Sequence, residues 1–308
     1  MSIATTRRDL LADSLALMAG GMATRLFAQE LPMLEAASAG SFRAMLDGPL
    51  KTAAARKLGL NLRSHSQGAD AVAKQIVTGA LMADVFIPIT AGPMETVMHA
   101  GFAETAVPVA RTEMVIVYSP KSRFAAKLDK AAKGDGAWWE ILQEPGFHLV
   151  RSNPAGDPGG RNIIFAMMLA AKKYGQPELV DRVLGPTLNP AQILTTGNNQ
   201  DRLQSGEVDA MATYRMGAVA SKMPYIVLPA DVNLSGDRIH EEHPEILLAI
   251  DGKTFLPEPL VFYAAALRNA PNPKGAKAFV DWLQTAEAQA ILLQNAFGAP
   301  GAAQPLRA

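Results

Sequence analysis

From Leu31 onward the chain alternates short, almost wholly apolar runs with longer segments whose apolar residues recur every three to four positions. A run without internal polar positions suits a strand covered on both faces, and the 3.6-residue recurrence suits a helix with one buried stripe. Alternating the two at this spacing restricts the chain to an α/β architecture. Strands are read at LPMLEAAS, LNLRSHS, ADVFIPI, MVIVYSP and FHLVRS, then over Val208 to Tyr214, at YIVLP and at PLVFYAAALRN. Helices are read between them, including one from Ile163 to Tyr174 and two amphipathic ones closing the chain before Gly298. The stretch from Lys121 to Gly146, which carries Trp138 and Trp139, reads as an exposed excursion, and the tail APGAAQPLRA as frayed.

Several strands run into small or hydroxyl residues that open a helix. Ala39-Gly40-Ser41 is one, with Ser41 placed either as a plain N-cap or as a donor to a ligand. Ser66-Gln67-Gly68-Ala69-Asp70 is a second, Asp157-Pro158-Gly159-Gly160 a third, and Thr213-Tyr214-Arg215 a fourth. Ligands of open α/β sheets sit outside the carboxyl ends of the strands, where all four fall. The unpaired N–H groups and the positive dipole end of a helix start favour a negatively charged oxygen there, and paired glycines clear side chains out of its way.

Composition removes other classes. Lys plus Arg and Asp plus Glu both count 29, so no basic excess exists to hold a nucleic-acid backbone. There is no cysteine, hence no disulfide, thiolate metal site or lipidated N-terminal Cys. The segment TTRRDLLADSLALMAGGMATRLFAQE has paired arginines, Arg7 and Arg8, before a modestly apolar run. It resembles a twin-arginine export signal spanning residues 1–28. Asp13 inside that run argues against a permanent span, which needs about 20 apolar residues. Removing the signal leaves 26 basic and 27 acidic residues in an exported, periplasmic protein. No G-x-S-x-G nucleophile elbow and no G-x-G-x-x-G dinucleotide loop occur. His240 and His243, three apart, lack the spacing of zinc proteases and an evident third ligand; they would serve an exported hydrolase only as an alternative.

AGS after the first strand, AKQIVTGALMADVFI after the second, DPGG opening a helix, GEVDAMATYRMGAVAS, and PNPKGAKAFVDWLQTAEAQAIL together resemble, in order, the solute-binding proteins of molybdate- and tungstate-type ABC importers. The resemblance covers essentially all of the chain after the signal. It implies a two-lobed periplasmic binding protein fold of type II, with residues 31–111 and 230–308 as lobe one and 112–229 as lobe two. It also implies a tetrahedral oxyanion held by neutral donors, a membrane permease as partner, a monomer, no enzymatic turnover, no cofactor and no resident metal. Carried over by residue, the ligand set is Gly40, Ser41, Ser66, Gly68, Ala69, Asp157, Gly159, Gly160, Arg161 and Tyr214. The chain departs from the family at Ala69, where a ligand serine is usual, and at Arg161, where an aromatic or aliphatic residue is frequent. An inward Arg161 would favour a sulfate-like or small organic anion instead.

Overall fold

The computed structural model describes residues 30–193 and 199–308; the export signal read at 1–28 lies outside the described residues. The first part of the chain gives strands β1 (Met33–Ala39), β2 (Asn61–Gln67), β3 (Val85–Ile87) and β4 (Thr105–Arg111). The middle gives β5 (Met114–Tyr118), β6 (Leu149–Val150), β7 (Ala210–Tyr214) and β8 (Tyr225–Val227). The last part gives β9 (Leu248–Ile250), β10 (Lys253–Phe255), β11 (Val261–Ala266) and β12 (Leu306–Arg307).

These build a six-stranded sheet in the order β12-β4-β11-β3-β1-β2, a four-stranded sheet β6-β7-β5-β8, and a separate ribbon β10-β9. β1 runs parallel to β2 and β3, while β11 is antiparallel to β3 and β4. The strands read as continuous apolar runs are covered on both faces: every residue of β3 and β5 is buried. Helices flank the sheets, so the α/β reading holds.

The chain passes from the larger sheet to the smaller through Thr112 and Glu113. It returns over Pro229 to Leu234, where Val232 and Asn233 both donate to the Pro229 carbonyl, at 2.8 and 2.9 Å. These segments lie side by side. Thr112 donates to the Leu260 carbonyl, Met114 to that of Asn233 and Leu260 to that of Leu234, at 3.0, 2.9 and 3.1 Å. The Asn233 side chain adds a bond to the Glu113 carboxylate at 3.0 Å. After the return, the segment from Asp231 to Phe255 leans on the helix Pro158–Tyr174 through the pairs Lys173–Asp231 and Lys172–Glu245, both at 2.6 Å.

Three readings are corrected. The tail is not frayed: β12 pairs antiparallel with β4, and Ala308 donates to the Glu104 carbonyl at 3.0 Å. The excursion from Lys121 to Gly146 holds the helices Ala125–Ala132 and Trp138–Ile141, and Trp138 is buried because Tyr174 packs edge-on against it. The long helix begins at Pro158 rather than Ile163, since Asp157 caps it and a proline at its first position costs no hydrogen bond.

Candidate functional site

At the end of β1 the chain tightens into a 3₁₀ turn, Gly40–Phe42, and Phe42 is pinned below by Phe262 and Phe297 with ring centroids 5.0 and 5.4 Å away. That packing fixes Ser41 beside it. Ser41 does not cap the following helix; its Oγ is buried without a hydrogen-bond partner among the described residues. A buried hydroxyl left unpaired is costly, so its place in a cavity wall is informative.

The cavity measures about 370 Å³ and opens between the two sheets. Gly40, Ser41, Gln67, Gly68 and Ile89 line it from the side of the larger sheet. Ser152, Asp157, Gly159, Thr213 and Tyr214 line it from the other. Among the described residues no Lys, Arg or His lines it, and Asp157 is its one acidic side chain.

Tyr214, the last residue of β7, accepts a hydrogen bond from Asn162 Nδ2 at 3.0 Å, which leaves its own proton to donate. Burial, and then the charge of Asp157, hold its pKa far above the ordinary tyrosine value, so it remains a phenol. Asp157 caps the helix: its Oδ1 accepts from Gly159 N at 2.9 Å and its carbonyl from Gly160 N at 3.1 Å. The Gly159 and Gly160 amides, two of those expected to face an anion, are therefore engaged by Asp157. Burial raises the Asp157 carboxyl above its ordinary range, opposed by the Gly159 amide, the Ser152 hydroxyl and the charge of Arg161.

Of the expected set, Gly40, Ser41, Gly68, Asp157, Gly159 and Tyr214 meet at the cavity, whereas Ser66, Ala69, Gly160 and Arg161 do not line it. Ser66 is buried with its Oγ 2.7 Å from that of Ser38. Ala69 is buried as the first residue of the helix Ala69–Val77. Gly160 serves close packing, since a Cβ there would lie 2.3 Å from the Ser152 carbonyl oxygen. Arg161 is buried and ion-paired with Asp70 at 2.6 Å, donates to the Pro154 carbonyl at 2.9 Å, and lies over the Phe255 ring at 4.1 Å. His240 and His243 line no part of the cavity; His243 meets Lys172 instead. No group of three or more His, Asp or Glu among the described residues is placed to hold a metal ion.

The sequence reading missed Ser152 and Asn162. Ser152 stands in the polar stretch between a strand and a capped helix, a signal like the other three strand ends. Asn162 follows the helix-opening DPGG but reads only as the last polar residue before the apolar-periodic run, which carries no sign of a role.

Two predictions arise here. A Cβ on Gly68 would sit 2.4 Å from the Gly156 carbonyl oxygen, backbone against backbone across the cavity rim. Gly68→Ala should cost about 1–3 kcal/mol of stability or of closure; urea unfolding and ligand titration together should find one of those losses, and a variant equal to wild type in both would contradict the contact. The second concerns pH. Burial pushes the carboxyls of Asp157 and Glu258 above their ordinary values of 3.8 and 4.5. Between ordinary and raised values the folded state binds more protons than the unfolded state, so stability falls as pH rises through that window and levels off above it. Asp157→Asn and Glu258→Gln should each remove part of that slope in urea midpoints measured against pH.

Residues 34–298 match the family model described as bacterial extracellular solute-binding protein. A solute-binding protein of Petrotoga mobilis is 27% identical over 66% of this chain and 63% of its own length. The molybdate/tungstate-binding protein WtpA of Pyrococcus abyssi is 23% identical over 79% and 76%. Among solved structures, the sulfate-binding protein SubI of Mycobacterium tuberculosis superposes with a TM-score of 0.61 at 14% identity, covering 88% of each chain. The periplasmic molybdate-binding protein of Azotobacter vinelandii gives 0.60 at 19% identity, covering 86% of this chain and 98% of that one. The match over most of its length, on the type II periplasmic binding protein fold, makes this chain a member of the bacterial extracellular solute-binding protein family.

Proposed function

We propose that the chain is the exported binding component of an ABC importer, capturing a tetrahedral oxyanion, molybdate or tungstate first, and handing it to a membrane permease. The observation that carries this reading is the cavity itself: Ser41, whose Oγ has no hydrogen-bond partner among the described residues, and Tyr214, whose phenol proton is unspent, line a space walled without cations among the described residues. Oriented neutral donors can replace the hydration shell of an anion without countercharges. The names of WtpA and of the Azotobacter protein support molybdate and tungstate as the ligands.

In this reading residues 31–111 and 230–308 form lobe one and 112–229 lobe two, with the monomer hinging on the two passages between the sheets and closing over its ligand in the periplasm. The export signal at 1–28 belongs to the same proposal. A second reading is a sulfate-like or small organic anion, of which the cavity's volume of about 370 Å³ favours the organic one. That volume exceeds a bare tetrahedral oxyanion. Arg161 gives the second reading no support, because its guanidinium is taken up by Asp70, Pro154 and Phe255.

The test is a thermal-shift series with molybdate, tungstate, sulfate and short carboxylates, each paired with product analysis and small-angle scattering. The expected result is a saturable rise in Tm with the oxyanion, compaction on binding, and unchanged ligand recovered afterwards. Chemical conversion of a bound compound would refute the binding role, and binding without compaction would refute the hinge.

A further inference from the structure

Asn162 is buried in the first turn and a half of the helix Pro158–Tyr174, and its side-chain amide donates to the Tyr214 oxygen. A phenol can give one proton and accept others, so which role it plays toward a ligand depends on what its neighbours take. The Asn162 amide has only protons to offer at Nδ2, and it spends one on the Tyr214 oxygen at 3.0 Å. Among the described residues no hydrogen bond takes the phenol's own proton; the hydroxyl reaches the cavity wall beside Gly159, 3.3 Å from where a Cβ would stand, and Asp157 Oδ1, 3.4 Å from the same point, accepts from the Gly159 amide.

We propose that Asn162 is a positioning residue that locks Tyr214 as a donor toward the cavity, so that the site selects a ligand whose facing oxygen carries no proton. This rests on the reading of the cavity as an anion site. It deepens that reading by assigning the discrimination between a fully deprotonated oxyanion and a protonated one to a residue that need not touch the ligand. The chemistry runs in reverse if the neighbour becomes an acceptor: a carboxylate at this position would take the phenol proton and turn the oxygen's lone pairs to the cavity. Other charged groups near the phenol are Asp157, Arg161 and Asp70, and all three stay in place in that exchange.

The experiment is a double-mutant cycle of Asn162→Asp and Tyr214→Phe, with molybdate as probe, read by calorimetry between pH 5 and pH 8. Asn162→Asp should weaken binding about tenfold or more at pH 8 and regain it as the introduced carboxyl protonates, and most of that loss should vanish in the Tyr214→Phe background. Simple charge repulsion predicts the same loss in both backgrounds, and that outcome overturns the proposal. A readout without ligand runs in parallel. The Asn162 side-chain amide resonance, assigned by its disappearance in Asn162→Asp, should shift in Tyr214→Phe, whereas an unmoved resonance overturns the hydrogen bond itself. If wild type ignores molybdate, the choice of ligand has failed and the amide resonance alone decides the role of Asn162.

Discussion

Ser41→Ala and Tyr214→Phe should each weaken binding of the natural oxyanion by about tenfold to a hundredfold, the loss of one hydrogen bond to a charged acceptor at about 1.5–3 kcal/mol. Neither change should unfold the protein. Among the described residues Ser41 Oγ has no partner whose loss would be felt, so Ser41→Ala should leave the apo protein as stable as wild type or slightly more so. Tyr214→Phe leaves the Asn162 amide without its acceptor, so its apo stability should drop by about 1–3 kcal/mol. Calorimetry with chemical denaturation separates the two signatures. If both variants bind like wild type, the ligand sits elsewhere.

The second large effect concerns closure. Asp70 stands on the helix after β2 of the larger sheet and Arg161 on the helix after β6 of the smaller, so their ion pair at 2.6 Å bridges the two halves next to the cavity. Arg161 is almost fully buried, while about a third of the Asp70 side chain is exposed. Asp70→Asn strands a buried guanidinium and should cost about 1–3 kcal/mol, less than a fully buried pair because water still reaches Asp70. We expect the cost to fall on the closed form, as faster ligand release in stopped-flow and weaker compaction in scattering. Adding Arg161→Leu to Asp70→Asn should recover much of the loss, since the stranded charge is then gone. Additive losses in the double variant would mean that the pair does not act as a latch.

Much of this was legible in residues. β1, β3, β5 and β11 announced themselves as apolar runs, and Gly40-Ser41, Gly68, Asp157 and Tyr214 as strand ends. β4 went unread because Pro108 lies inside it. The structure accommodates that proline where β12 reaches no further than Ala106 and the pairing with β11 shifts register between Phe262 and Tyr263. The ribbon β9–β10 was missed although its signal was present: Asp251-Gly252 both adopt positive φ, 51° and 75°, the pattern of a two-residue hairpin turn. Other features were beyond reach from sequence. That Arg161 meets Asp70 rather than a ligand depends on two helices from different sheets meeting, and the role of Asn162 depends on the helix phase set by Asp157 as its cap.

The central claim is that this cavity holds an oxyanion by neutral donors. It is tested most directly by titration calorimetry of the protein from Gln29 onward against molybdate, tungstate, sulfate, thiosulfate, phosphate and short carboxylates. The account predicts one-to-one binding of molybdate or tungstate at submicromolar Kd, abolished or sharply weakened in the Ser41→Ala, Tyr214→Phe double variant. Silence toward every inorganic oxyanion would contradict it.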